Sequence, residues 1–461
     1  MNLDRRAVSA PTIEVANWVS ALRHEDIPAR SHEVLRGVLL DSLGAGLYGF
    51  NTPWGAKLRD WALAGSGFKG GGGEARVWGA KAPLLRTADA AMVNGTATHA
   101  FELDDYHKAK LHAGAVVIPA ALAVAEKIDA SGSALMTAIA AGYEVMIRSS
   151  LALDPSAARL RGWHITGICG PFGAAAACAS LMRLDPEKTA WALGLAGTQG
   201  AGLWAFNADG TMSKRLHAGR AAHAGVLAAE LAASGFSGPT QIYEFHDGGF
   251  LSAHVDKPDP TQLTKALGTK WHLDDTAIKP YSCCGSTHAY IDCALELRRR
   301  FGGKPWNPAH KVVVGTSKVV DVQCGFDYEP GSALNAQMSL RYAVACALLD
   351  GQVLTRQFSD ERMRAADAMQ LTAAITLQPD PALDKLYPAN FAGWVAAEGA
   401  GKQERVDVLD PTGSPAFPLG FDGIVAKFRG IVDDRPADPI IDAVRAIDRT
   451  GARALLGLLA K

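Results

Sequence analysis

The segment from Asn94 to Ala130, NGTATHAFELDDYHKAKLHAGAVVIPAALAVAEKIDA, places acid, imidazole and amine groups between two apolar, alanine-rich stretches. If the incoming AAMVNGTATHAFE run is helical, His99 and Glu102 stand at i and i+3 and share a face. Asp104, Asp105, His107 and His112 follow in a stretch without helical periodicity that ends at Gly114. Ala115 to Lys127 restores the period, with Pro119 tolerable only near that helix's first turn. Two helices are therefore expected to deliver one loop of titratable groups to a common place. The competing reading is a solvated acidic turn with a few exposed histidines.

Outward from this stretch the helical period dominates. Apolar residues recur at i, i+3, i+4 and i+7 from Pro11 to His24 and from Arg30 to Phe50, with Pro28 between them. A short helix is expected around Lys57 to Ala64. The glycine-rich run from Gly65 to Glu74 is read as a mobile loop, and ARVWGA as a short strand. Helices are also expected over Gly132 to Leu153, Thr166 to Leu184, Pro186 to Gly197 and Lys214 to Ser234. Past about Gly268 the texture changes. KWHLDDTAIKPYS, HKVVVGTS, AAITLQ, ANFAGWVAAE and QERVDVL read as short strands, with helices over Ser286 to Arg300 and Ala336 to Leu349. Phe421 to Phe428 and Asp438 to Leu459 return to alanine and leucine periodicity. The expectation is a mainly α protein with a smaller α+β domain: a helical domain over residues 1–268, an α/β domain over 269–410, and C-terminal helices over 411–461 returning to the helical domain.

A chain of 461 residues exceeds what one hydrophobic core usually organises. With 46 Lys and Arg against 47 Asp and Glu, it has no field to attract nucleic acid and no basic block for a membrane surface. Its seven cysteines lack CxxC spacing, which fits a reducing compartment. No secretory leader or membrane-length apolar run is legible, so the expected location is cytoplasmic.

Three further clusters place a cation or imidazole where a helix begins. In GWHITGICGPFGAAAA, His164 precedes a helix start whose free N–H groups favour a carboxylate. In GTMSKRLHAGRAAHAG, Lys214, Arg215, His217 and Arg220 crowd seven residues, with Lys214 and His217 on one face. In AIKPYSCCGSTHAYIDCA, Lys279 leaves an apolar run at a proline turn. There is no GxGxxG after a strand, no GxxxxGK[ST], no HExxH and no GxSxG, which points to catalysis without a cofactor. His99, Glu102, Asp104 and His112 form the one alternative metal set; the reading adopted is that no metal is required.

The order of DSLGAGLYG, VNGTATHAFELDDYH with LHAGAVVIPAALAVAE, GWHITGICGPFGAAAA, MSKRLHAGRAAHAG, KPYSCCGSTHAYIDCA and AQMSLRYAVACALLDG resembles the MmgE/PrpD family over nearly the whole chain. That family includes 2-methylcitrate dehydratase, cis-aconitate decarboxylase and iminodisuccinate epimerase. The resemblance implies a homodimer whose subunits have an all-α domain and a smaller α/β lid, with a metal-free site between them. It implies that His112 is the catalytic histidine after the acidic motif, His164 the histidine before the glycine-rich helix, and Lys214 and Lys279 the substrate-facing lysines. Glu102 stands where relatives often have Asp, and Asp104 and Asp105 fit the following pair. Ala113 replaces a usual proline, Tyr106 stands at the decarboxylase threonine position, and Tyr328 is the candidate lid tyrosine.

All three reactions pass through a carbanion-like species beside a carboxylate, so the site needs a proton-transfer group and cations. His112, oriented by Asp104 or Glu102, is the first choice for base or acid. Lys214, Lys279 and a protonated His164 are expected to hold carboxylates, with Asp105, Tyr106, Arg215, His217 and Tyr328 as further contacts. The expected substrate is a small di- or tricarboxylate. The expected function is a dehydratase-type lyase, with an epimerase or a decarboxylase as alternatives, and a helical scaffold as the reading outside catalysis.

Overall fold

The computed structural model describes residues 10–65, 73–79, 84–208, 210–303, 306–307, 309–387, 389–432 and 436–459. The chain forms two compact units. The first comprises residues 1–100, 104–276 and 420–461, and the second 101–103 and 277–419. The protein is mainly α, with one small mixed sheet in the second unit.

In chain order the first unit contains α1 (Pro11–Ala21), α2 (Ala29–Gly49), α3 (Pro53–Gly65), α4 (Thr87–Thr98), α5 (Gly114–Ile128), α6 (Gly132–Ala152), α7 (Pro155–Leu160), α8 (Ile165–Leu181), α9 (Pro186–Gly197), α10 (Ser213–Ala233) and α11 (Phe250–His254). Helices α5 and α8 are buried on nearly every side, so their alanine and glycine content serves close contact between helix axes rather than an amphipathic stripe. Pro119 lies just past the first turn of α5, and Pro171 lies inside α8.

Helices α4 and α10 run antiparallel at unusually short range. A Cβ at Gly219 would stand 2.2 Å from the Met92 carbonyl and 2.1 Å from Thr96 Oγ1, so any side chain there forces the helices apart. This crossing sets the end of α4 beside the start of α10, where Arg215 Nε donates to the Ala100 carbonyl at 2.9 Å.

The second unit holds α12 (His288–Arg300), β1 (Lys311–Thr316), α13 (Lys318–Cys324), α14 (Ala333–Met338), α15 (Leu340–Asp350), α16 (Asp360–Met363), α17 (Ala366–Ala374), β2 (Thr376–Pro379), α18 (Pro381–Asp384), β3 (Gly393–Gly399) and β4 (Lys402–Val408). The strand order is β2-β1-β3-β4, with β1 parallel to β2 and the other pairs antiparallel. Four of the five expected strands are present. The fifth, KWHLDDTAIKPYS, forms only a 3₁₀ turn at His272–Asp275. Arg148 donates to the Lys265 and Lys270 carbonyls and Glu144 accepts from Leu273 N–H, which holds this segment on the helical unit as far as Thr276. Residues 411–419 stay with the second unit, where Ile278 N–H donates to the Gly413 carbonyl and Thr412 N–H to Asp292. ARVWGA supplies one isolated bridge, Ala75 to Leu85, instead of a strand. Most of the glycine-rich run expected to be mobile lies outside the described residues.

The C-terminal segment returns to the first unit as α19 (Gly420–Ile431), α20 (Ala437–Arg445) and α21 (Ala452–Leu459). Ile424 and Phe428 of α19 pack on α2 at Gly37 and Gly44. Between them Lys427 Nζ lies 2.5 Å from Asp41 Oδ1, and both side chains are almost wholly buried. Removing one partner of a buried pair leaves an uncompensated charge, which costs about 3–5 kcal/mol. Lys427→Met is therefore expected to lower the unfolding free energy of the helical unit by about 3 kcal/mol, measured as a shift in the urea midpoint. An unchanged midpoint means the pair adds nothing.

Candidate active site

The first unit brings the acidic loop, the start of α8 and the start of α10 together. Helix α4 stops at Thr98, and His99 is its C-cap. His99 Nδ1 lies 2.6 Å from Asp104 Oδ2, with both side chains fully buried. The carboxylate can only accept here, so Nδ1 carries the proton and Nε2 the lone pair. No hydrogen-bond partner for that Nε2 is found among the described residues. This oriented pair was the main site feature that the spacing did not disclose, because it spans five residues across a non-helical turn.

His112 sits beside it, its ring meeting that of His99 edge-on at 4.9 Å. Its Nδ1 donates to the Asp105 carbonyl at 2.7 Å and lies 3.4 Å from Asp104 Oδ2. The orienting group is thus first the Asp105 backbone and only second Asp104. Glu102, the other expected orienter, belongs to the second unit. It does not share a helical face with His99, because it lies past the helix end with φ of 55°. A left-handed conformation costs a non-glycine residue roughly 1–2 kcal/mol. Glu102 Oε2 accepts from Lys279 Nζ at 2.9 Å in a buried pair. Gln337 Nε2 and Ser282 Oγ donate to the adjacent Phe101 carbonyl, both at 2.8 Å. In the same unit Tyr328 is buried against Tyr342 at 4.8 Å, and burial raises its phenol to about 12.

His164 caps the start of α8 with its ring 5.8 Å from that of His99. Its Nδ1 lies 3.0 Å from Nδ1 of His217 on α10. One ring must donate and the other accept, so the two are opposite tautomers. Burial, then the neighbouring His99 and Lys214, push His164 well below the usual imidazole value and His217 down to about 4. The expectation of a protonated His164 is therefore corrected: with no anion bound, both rings are neutral at pH 7. Lys214, buried on the first turn of α10, is the cation within electrostatic reach. Arg215 is redirected from substrate to scaffold. It donates to the Ala100 and Thr211 carbonyls and stacks over Trp54 at 4.1 Å. Tyr106 is half-buried on the acidic loop.

Two other histidines take the bland role. His107 Nδ1 accepts from Ala109 N–H, and burial drives its pKa to about 3. His288 lies buried against the Cys283 carbonyl and the Tyr281 ring. Ligand atoms of His99, Asp104 and His112 lie within 4.8 Å of one another, so these residues are geometrically able to share a cation. As placed, both Nδ1 atoms are engaged in hydrogen bonds and the Asp104 carboxylate accepts from His99.

The chain matches the MmgE/PrpD N-terminal domain over residues 13–263 and the MmgE/PrpD C-terminal domain over residues 281–448. The chain belongs to the MmgE/PrpD family. It is 32% identical to a cis-aconitate decarboxylase-like protein of Aspergillus oryzae, over 89% of this chain and 87% of that protein. It is 31% identical to a cis-aconitate decarboxylase of Aspergillus terreus, over 99% and 97%, and 29% identical to the human cis-aconitate decarboxylase, over 91% and 87%. Among the described helices, none is long and apolar enough to cross a membrane.

Beneath the histidines, Asp105 anchors the acidic loop of this MmgE/PrpD chain to α5. Its carboxylate accepts from Gly114 N–H at 3.0 Å and from Tyr143 Oη at 2.7 Å. A Cβ at Gly114 would lie 2.3 Å from Ser42 Oγ, so the carboxylate reaches that N–H only because residue 114 is glycine. Burial, helped by Asp104 and Asp41, pushes Asp105 up to about 7 against the pull of Tyr143 and Gly114. The folded chain thus keeps a proton that the unfolded chain releases near pH 4, and this contribution to stability falls as pH rises from about 4 to 7. Asp105→Asn can still accept from Gly114 N–H through Oδ1 and donate to Tyr143 Oη through Nδ2, and it does not ionise, so the variant is expected to gain stability relative to wild type between pH 5 and pH 8. Urea midpoints at the two pH values measure the difference, and equal pH slopes would contradict the burial argument.

Proposed function

We propose that this chain is a cofactor-independent lyase of small di- or tricarboxylates, with carbon–carbon cleavage of the cis-aconitate decarboxylase kind as the leading reading. The observation that carries it is the set of oriented imidazoles, His99, His112, His164 and His217, with Lys214 within electrostatic reach of the last two. Relatives of about 30% identity along nearly the whole chain support the decarboxylase form over the dehydratase form.

The chemistry asks little of a cofactor. In a β,γ-unsaturated acid the bond to the departing carboxylate breaks and carbon dioxide leaves. The electron pair moves through the double bond to a carbon beside a second carboxylate. A proton added there completes the reaction, with the double bond shifted by one position. Lys214 holds the carboxylate on which charge grows. His112 donates the proton from Nε2, since its Nδ1 is engaged with the Asp105 carbonyl. Asp104, 3.4 Å away, offsets the charge His112 carries before donation. Partial exposure of His112 lets it recover a proton from water. The His99–Asp104 pair is the second proton-transfer group, and Lys279 is assigned to substrate from the family motif. A dehydratase uses the same groups in the opposite sense, removing a proton so that hydroxide leaves.

Incubation in D2O with unsaturated and hydroxylated tricarboxylates separates these forms. Carbon dioxide release with one deuterium on the product carbon supports the decarboxylase. Alkene formation without carbon dioxide supports the dehydratase, and exchange with neither indicates an epimerase. Lys214→Ala and His112→Ala are each expected to lower kcat/KM by at least about 100-fold with the fold retained. Near wild-type kcat/KM in either variant removes that residue from the mechanism. Turnover is also expected to survive EDTA treatment; full loss with recovery on adding a divalent ion would overturn the metal-free reading.

A further inference from the structure

A second cluster of metal-ligating side chains lies in the first unit, outside the candidate active site. His24 opens the 3₁₀ turn His24–Asp26, His32 lies in the first turns of α2, and Asp448 sits in the 3₁₀ turn Ile447–Arg449 between α20 and α21. Ligand atoms of the three lie within 4.8 Å of one another. The two rings are 4.4 Å apart, and His24 Nε2 is 3.8 Å from Asp448 Oδ1.

The hydrogen bonding leaves buried polar atoms of all three side chains without a partner among the described residues. His32 Nε2 lies 3.3 Å from the His24 carbonyl, which only accepts, so Nε2 carries the proton and Nδ1 the lone pair. Nδ1 of His24, Nδ1 of His32 and Oδ1 of Asp448 are all buried, with no hydrogen-bond partner among the described residues. Buried polar atoms without partners are costly, and three in one cluster require an account. The other Asp448 oxygen is held by Arg36, the outer contact that a ligating carboxylate commonly has.

We propose that His24, His32 and Asp448 form a binding site for a divalent late first-row cation of the Zn2+ class, which clamps the C-terminal segment to the start of the helical unit. Two imidazoles and one carboxylate suit this class, whereas Mg2+ and Ca2+ take oxygen ligands. Zinc bonds of 2.0–2.2 Å place ligand atoms about 3.3 Å apart, so the 3.8 Å separation needs only a small contraction. The partial exposure of His24 and Asp448 leaves the fourth position to water. A cation held from both ends of the chain stabilises the folded state by mass action. The charge of Arg36 opposes binding, so the site is weaker than an uncompensated carboxylate would make it.

The test uses the full chain, stripped of metal by a chelator and titrated with ZnCl2 against a chromophoric chelator, with Tm followed in parallel. Zinc is expected to raise Tm. His32→Gln and Asp448→Asn are expected to weaken zinc binding at least about tenfold and to abolish the rise, while His112→Ala keeps both. Circular dichroism and retained turnover establish that the two variants fold; one that fails this check is replaced by His24→Gln, which leaves the Arg36 contact intact. Wild-type zinc affinity in the folded variants overturns the proposal, as does loss of the Tm rise in His112→Ala, which would locate the ion in the candidate active site.

Discussion

The close crossing of α4 and α10 at Gly219 is the constraint on which the first unit's chemistry depends. With 2.2 Å between a hypothetical Cβ and the Met92 carbonyl, no other residue permits this approach. Its consequence is directional. Antiparallel helices crossing at Gly219, in the second turn of α10, bring the last turn of α4 beside the first turn of α10, so the His99 cap and Lys214 both come within electrostatic reach of His217. The Arg215 bond to the Ala100 carbonyl then fixes where the chain leaves α4. A larger residue at 219 would separate the acid–imidazole pair from the lysine before it affected either one directly.

Burial controls the electrostatics that follow. Among the described residues of the first unit, burial as the first cause pushes four imidazoles well below their ordinary value, His107, His164, His217 and His272, and lowers His32, His223 and His254 as well. Only some of them have a chemical use. His107 is neutral because it is a core residue satisfied by the backbone, and nothing near it calls for a proton. His164 and His217 are neutral partly because Lys214 and His99 stand close. A bound carboxylate opposes that effect, since an anion favours the charged form of every nearby base. Ligand binding at this cluster is therefore coupled to proton uptake, which is the direction a reaction that consumes a proton needs.

The sequence made the helices legible because their period is set by burial, and burial governs most of this chain. Helix α9 fell where the pattern put it, and four of five short strands were recognised from β-branched alternation. The failures have local causes. KWHLDDTAIKPYS carries β-forming residues, yet its backbone is captured by Glu144 and Arg148 from α6, more than a hundred residues earlier. Glu102 was placed on a helical face that ends at Thr98, four residues before it. Arg215 was grouped with the substrate contacts although it points away from the face that Lys214 and His217 share. His164 and His217, 53 residues apart, are paired by tertiary structure, which no local spacing encodes.

The residues that depart from the family pattern bear on specificity more than on proton transfer. The atoms that orient the transfer groups are a carboxylate at Asp104 and a backbone carbonyl at Asp105, and the carbonyl survives any change of side chain. Tyr106 and Ala113 flank this arrangement without supplying it. The resemblance puts tyrosine at 106 where the decarboxylases carry threonine, and a half-buried ring there takes more room on the loop. Ala113 frees the backbone before α5 from the fixed φ of proline, while Gly114 N–H stays bound to Asp105. A change of substrate within one reaction type is therefore structurally easier here than a change of the proton-transfer apparatus. That ordering favours keeping the lyase chemistry of the relatives while leaving the acid they act on free to differ.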